Sequence, residues 1–169
     1  MIRAALPEDL PLLAAVERSA AALFIGTRME WAASGPTLPA SMLEEAAALG
    51  LLWVAWRAEA GVAGFLMAGI LAGDLFIEEL SVAAEHQRRG FGRALLQRAV
   101  SHAREAGLAG LSLTTDHDLA WNAPFYASAG FKILSGGAVT PTLRHRLKQE
   151  AEHGHDPAHR CAMRLSLSG

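Results

Sequence analysis

An apolar stretch ending in Leu80-Ser81-Val82 runs into Gln87-Arg88-Arg89-Gly90-Phe91-Gly92-Arg93-Ala94, and an amphipathic helical pattern follows. A strand, a glycine turn and a helix start in direct succession leave few folds open. Gly107 ends the helix, and Leu111-Ser112-Leu113-Thr114-Thr115 reads as another strand. A strand–helix–strand crossover of this length joins parallel strands. The turn is also an anion site. Glycines let backbone approach a phosphate closely. The N–H groups of the helix's first turn point at the ligand, and the helix dipole favours negative charge there. Arg88, Arg89 and Arg93 add fixed positive charge suited to phosphate oxygens.

The rest of the chain supplies a sheet and covering helices. Ile2 to Leu6 predicts a first strand, and Pro7-Glu8-Asp9 a helix start, with Leu13, Val16, Ala20, Leu23 and Phe24 at helical spacing. Gly26 to Pro39 reads as a loop with a helical turn around Met29-Glu30-Trp31, and Ser41 as the cap of a helix over Met42 to Leu49. Leu51 to Arg57 and Val62 to Leu71 predict an antiparallel hairpin, and Phe76 to Val82 a third strand. Asn122 to Ala129 reads as a short helix, and Gly130-Phe131 as the start of another strand. Thr140-Pro141 starts a polar helix to about Glu152, and Arg160 to Leu167 is the last strand.

Composition narrows the function classes. The 169 residues fit one domain, residues 1–169, and 51% hydrophobic with 19% charged residues describes a globular chain. A net charge of −2 argues against general nucleic-acid binding. The longest uncharged run, Ala60 to Gly73, is too short to span a bilayer and is interrupted by Gly61, Gly64 and Gly69, so no membrane partner is expected. The first residues meet Glu8 and Asp9 too early for a secretory h-region. With a single cysteine, Cys161, read as a small core residue, a cytoplasmic protein is expected.

Three ligand classes compete for the glycine turn. A P-loop needs two glycines with four residues between them, followed by Lys and Ser or Thr, and no such string exists. A dinucleotide fingerprint needs a third small residue where Leu95 stands, and an opening βαβ unit, whereas several strands precede this turn. Gln87-Arg88-Arg89-Gly90-Phe91-Gly92 instead resembles the pyrophosphate motif of the GNAT superfamily of N-acetyltransferases, Gln/Arg-x-x-Gly-x-Gly/Ala. Trp121-Asn122-Ala123-Pro124-Phe125-Tyr126 followed by Gly130-Phe131 looks like a second block common in that superfamily. The order of elements is also similar. The resemblance implies an α/β fold of the α+β type: a mixed, mostly antiparallel central sheet with a splayed strand pair, flanked by helices.

The same resemblance implies acetyl-CoA as co-substrate. Gln87, Arg88, Arg89, Gly90, Phe91, Gly92, Arg93 and Ala94 would hold its pyrophosphate. The backbone of Leu80, Ser81 and Val82 would pair with the pantetheine arm as a strand pairs with an edge. Asn122 would hydrogen-bond the pantetheine or cap the short helix, and Phe125 would pack beside the cofactor or in the core. Tyr126, the only tyrosine, stands where the superfamily carries the residue that protonates the leaving thiolate. Attack by a primary amine within a ternary complex, with no acyl-enzyme, is implied.

The proton on that amine needs an acceptor. Glu78 and Glu79 sit mid-strand in apolar surroundings, on opposite faces, and one of them is the candidate base. Asp116-His117-Asp118 is spaced too tightly for three ligands on one ion, with no Cys or His near in sequence, so no metal is expected and the segment reads as a loop at the site's mouth. His153, His155 and His159 read as solvated surface. The acceptor is a small-molecule or peptide amine of unknown identity. A homodimer is conceivable if a partner extends the terminal strand and its neighbour. A non-catalytic acyl-CoA-binding module is the alternative class, and a nucleotide-binding regulator a further one.

Overall fold

A computed structural model describes residues 1–168. Seven strands form one sheet: β1 (Ile2–Ala4), β2 (Leu52–Arg57), β3 (Gly61–Leu71), β4 (Asp74–Val82), β5 (Gly110–Asp116), β6 (Lys132–Ile133) and β7 (Arg160–Ser166). Their order is β1-β2-β3-β4-β5-β7-β6. The helices are α1 (Leu10–Ala20), α2 (Ala40–Ala48), α3 (Phe91–Glu105), α4 (Ala123–Ser128) and α5 (Pro141–Glu152). The sheet is mixed and mostly antiparallel, as the sequence predicts. The chain divides into two compact units, residues 1–69 with 77–101, and residues 70–76 with 102–168.

In the first unit β1, β2 and β3 form an antiparallel ladder, with Arg3 opposite Val54 and Val54 opposite Phe65. β2 and β3 are almost wholly buried, so they read as apolar runs rather than as an alternation. Leu13 and Val16 of α1 and Leu43 and Ala46 of α2 pack with Val54 and Phe65. Helical spacing puts each pair on one face. Close packing of β3 and β4 needs a residue without a side chain: a Cβ on Gly64 would stand 2.7 Å from the Ser81 carbonyl oxygen and 3.2 Å from the Val82 Cα. α3 buries Leu95, Leu96 and Ala99 and exposes Arg93 and Gln97.

In the second unit the two-residue turn Ala72–Gly73 leads into β4, with both residues left-handed, as a tight antiparallel hairpin requires. The predicted parallel pair is present. Among the described residues its register is Leu75↔Leu111 and Phe76↔Ser112, while β4 continues through Val82. β5 and β7 pair antiparallel over their full lengths, from Gly110↔Ser166 to Asp116↔Arg160. Phe76, Leu143 and Ala162 form a small core with Leu134 and Leu147 around it. Asp74 and Arg164 join in a two-pronged ion pair at 2.7 and 2.9 Å. Cys161 is 8% exposed, the core residue expected, and burial pushes its thiol up to about 11.

Three expectations change. Pro7-Glu8-Asp9 precedes α1 and does not form its first turn: the helix begins at Leu10, and Asp9 stands at the N-cap position with no side-chain capping bond. Its carboxylate accepts the Leu6 N–H and pairs with Arg3 at 2.6 Å, which ties β1 to the start of α1. Ser41 is not a cap: α2 begins two residues earlier than Met42, at Ala40, with extended Pro39 before it. Proline presets the entry that a serine side chain would otherwise have to fix. The terminal strand β7 lies between β5 and β6, so it offers no edge for a partner; the edges are the short β1 and β6. Thr140, by contrast, caps α5 as predicted, its hydroxyl accepting the Leu143 N–H at 3.2 Å.

The Gly64 contact generates a test. Gly64→Ala drives a methyl into the backbone at Ser81, and is expected to cost about 1–3 kcal/mol, read as a lowered midpoint in thermal and urea unfolding. A midpoint equal to that of the parent chain would disprove the tight approach.

Candidate active site

β4 is the element on which the first unit's polar groups gather. Glu79 and Ser81 are two residues apart, so they share a face of the strand. The Ser81 hydroxyl donates to Glu79 Oε1 at 2.6 Å. Glu79 is half-buried and Ser81 is 4% exposed. Desolvation pushes the Glu79 carboxyl up to about 7; the Ser81 hydrogen bond opposes the shift, and the nearby charges of Glu17 and Glu78 reinforce it. Glu78 projects to the other face, where its Oε1 lies 3.6 Å from the place a Gly69 Cβ would occupy.

Glu17 belongs to this group, and sequence reasoning missed it. It sits in α1 beside buried Val16. Its Oε2 accepts the Leu38 N–H at 2.9 Å, which ties α1 to the loop before α2. Burial raises its carboxyl above the ordinary range, against the pull of that hydrogen bond. The available signal was a carboxylate on the apolar stripe of an amphipathic helix, adjacent to the Leu13–Val16 face. Ser19, two residues on in α1, accepts the Ala84 N–H at 2.9 Å and so anchors the segment that follows β4.

The anion loop leaves the end of the same strand. The Gln87 side-chain amide donates to the Val82 carbonyl at 2.9 Å and clips the loop's start to β4. Arg88 and Gly90 are both left-handed, at φ 61° and 86°. Turns of this kind aim successive N–H groups at one point. A non-glycine residue in that conformation marks local strain, which concentrates at ligand sites. α3 starts at Phe91 with no acidic residue in its first turn, which leaves the positive end of the helix dipole without a side-chain anion, and has His102 and Arg104 in its last turn, where the dipole favours basic groups. Arg88, Arg89, Gly90 and Arg93 are exposed, and Phe91, Gly92 and Ala94 are half-buried. Leu80 and Val82 are half-buried on either side of Ser81.

The remaining predicted residues fall in the second unit. Tyr126 is 9% exposed on α4, with edge-on rings of Phe125 at 5.1 Å and Phe131 at 5.8 Å. The Phe131 N–H donates to the Tyr126 carbonyl, so the Gly130-Phe131 pair is what closes α4. Asn122 occupies the N-cap position, but its side chain makes no capping bond; its carbonyl accepts the Tyr126 N–H at 3.1 Å. Phe125 is half-buried.

His159, read as solvated surface, is instead engaged with the loop after β5, where its Nδ1 lies 2.8 Å from Asp118 Oδ2. His155 is half-buried, not solvated, and burial lowers the pKa of its ring. No helix among the described residues is long and apolar enough to cross a membrane.

Comparison with known proteins bears on this arrangement. Residues 18–131, which hold the end of α1, the Glu79 strand, the anion loop and Tyr126, match the model of the Acetyltransferase (GNAT) family. Among solved structures, the PaiA N-acetyltransferase of Thermoplasma acidophilum in complex with coenzyme A is similar at 19% identity, with a TM-score of 0.71 and 98% of each chain covered. The ribosomal-protein-alanine N-acetyltransferase of Brucella melitensis is similar at 22% identity and TM-score 0.70, over 99% of each chain. A Mycobacterium tuberculosis protein solved with CoA gives 19% identity and TM-score 0.69, again over 99% of each chain. These identities speak to the fold, and the family match to the ancestry: the chain belongs to the GNAT family of acetyltransferases.

Proposed function

We propose that residues 1–169 act as one acetyltransferase domain that moves the acetyl group of acetyl-CoA to a primary amine. The observation that carries the reading is the sequence of groups along β4 and its exit: a half-buried carboxyl at Glu79, then the backbone of Leu80, Ser81 and Val82, then the Gln87–Ala94 anion loop. A thioester cofactor with an amide-rich arm and a pyrophosphate needs these three things in this order. The arm pairs with strand backbone, and the pyrophosphate meets the N–H groups at the start of α3. Asn122 hydrogen-bonds the arm and Phe125 packs against it. The name of the Brucella protein, a ribosomal-protein-alanine N-acetyltransferase, supports an amine as acceptor.

The chemistry follows from proton bookkeeping. An alkyl amine with a pKa of about 10 is mostly ammonium at neutral pH and has no lone pair to offer. Glu79, with its carboxyl at about 7, accepts that proton directly or through water. Glu78, on the opposite face, is not the base in this reading. The freed amine attacks the thioester carbonyl, the C–N bond forms, and the C–S bond breaks. The leaving thiolate takes a proton from the Tyr126 hydroxyl, and the tyrosinate recovers one from the nitrogen as the amide forms, so the single net proton released is the one Glu79 accepted and returns to water. No acyl-enzyme is formed. We propose a cytoplasmic setting, in which acetyl-CoA is at hand.

Calorimetric titration with acetyl-CoA is expected to give one site of roughly micromolar affinity, about −8 kcal/mol, with ATP giving none. A folded chain that fails to bind acetyl-CoA would sink the reading.

Tyr126→Phe is expected to keep that affinity and lower kcat by about 10²-fold in a thiol-release assay. Unchanged turnover would remove Tyr126 from the mechanism, and turnover absent from the parent chain across an amine panel would favour the non-catalytic binding module.

Glu79 gives a pH signature with a defined sign. Its carboxylate is the active form, so kcat/KM should rise with pH through about 7. Glu79→Gln should abolish that limb. Stability runs the other way: a carboxyl raised from 4.5 to about 7 favours the folded chain while protonated, and that contribution is lost as pH climbs from 4.5 through 7. The Gln variant should therefore show a flatter stability profile across that window. A rate limb that persists in the variant would assign the base elsewhere.

A further inference from the structure

We propose that His117, Asp118 and His159 form a binding site for a divalent transition ion of the zinc class. The inference is independent of the acetyl-transfer reading and lies wholly within the second unit. One ligand atom from each residue can be chosen so that all lie within 4.8 Å of one another. The backbone builds this juxtaposition. β5 ends at Asp116, whose Oδ1 accepts the N–H groups of Asp118 at 2.8 Å and Leu119 at 3.0 Å. The His117 N–H donates to the His159 carbonyl at 2.9 Å. The turn after β5 is thus locked to the segment before β7, and residues 41 apart in sequence become neighbours.

The side chains are arranged as ligands are. Asp118 stands between the rings, with Oδ1 2.6 Å from His117 Nδ1 and Oδ2 2.8 Å from His159 Nδ1. Each ring turns its other nitrogen outward to an oxygen. His117 Nε2 lies 3.1 Å from the Ala158 carbonyl, and His159 Nε2 lies 3.8 Å from Asp156 Oδ2. Metal-bound imidazoles characteristically give their second N–H to a carbonyl or carboxylate, which sets the ring's tautomer and direction. Asp156 is itself held, its Oδ1 accepting the Ala158 N–H at 3.0 Å.

Two imidazoles and one carboxylate suit zinc-like ions, whereas magnesium and calcium prefer all-oxygen sets. Tetrahedral zinc, with bonds of about 2.0–2.2 Å, needs the three donors to surround a point that the ring nitrogens and Asp118 already border. The ion would take the place of the protons now shared between carboxylate and rings, and one coordination position would stay open to water. Side-chain exposures of 37%, 48% and 36% for His117, Asp118 and His159 leave the site open to a hydrated ion.

The test uses the full chain, stripped with chelator and titrated with Zn²⁺, then with Mg²⁺. One equivalent of Zn²⁺ should bind and raise the unfolding temperature, and Mg²⁺ should do neither. His159→Gln and His117→Gln should each weaken Zn²⁺ binding by more than about tenfold, as should Asp118→Asn, a half-exposed substitution that spares the fold. His153→Gln should leave binding unchanged. Co²⁺ in place of Zn²⁺ should give visible absorption bands that vanish in the same three variants. Absence of one-to-one Zn²⁺ binding in the folded parent chain, or binding that survives the three substitutions, overturns the site.

Discussion

The approach of β4 to Gly64 is the contact on which the proposed site depends. With a hydrogen in place of a side chain at residue 64, the Ser81 carbonyl can lie where a Cβ would clash. That sets the height of the β4 backbone against β3. The face carrying Glu79 and Ser81 follows from it, because alternation fixes every other side chain once one is placed. Gln87 then ties the outgoing loop to the Val82 carbonyl. A change of register here would reverse Glu78 and Glu79 and reassign the roles of two adjacent carboxylates.

In the first unit the charges of Glu17 and Glu78 both act to raise the carboxyl of Glu79. An isolated buried carboxylate is expensive, and like charges add to the cost. The chain meets this with donors that do not neutralise the charge: the Ser81 hydroxyl for Glu79 and the Leu38 N–H for Glu17. A lysine or arginine partner would have pulled Glu79 down and removed its capacity to accept a proton near neutrality. The contrast is Asp9, where Arg3 and the Leu6 N–H outweigh burial and hold the carboxyl below its usual range. Two acids of similar origin are thus tuned in opposite directions by the charge of what they meet.

Much of this was legible in the sequence. Apolar runs, glycine punctuation and the crossover length suffice for the strands, for one antiparallel hairpin and for one parallel pair, while the mostly antiparallel sheet as a whole was what the family resemblance implied. The Gln87–Gly92 string and the Asn122–Phe131 block suffice for the family. What was not legible is long-range. Nothing near Asp118 in sequence announces His159, which arrives only because β7 pairs with β5 along its full length. Glu17 is invisible for the same reason: its significance lies in the Leu38 N–H and in the field it exerts on Glu79. Local signals also misled where two devices can do one job, as with Ser41, displaced as helix starter by the backbone of Pro39.

Cys161 has a consequence for a protein that handles thioesters. Acetyl-CoA can lose its acetyl group to any thiolate it meets, and the product would be a dead acyl-protein. With the thiol pushed up to about 11, only roughly one molecule in 10⁴ carries a thiolate at pH 7. The side chain is also packed away at 8% exposure within the β5–β7 ladder. The chain's one sulfhydryl is thereby insulated against self-acylation and against oxidative capping.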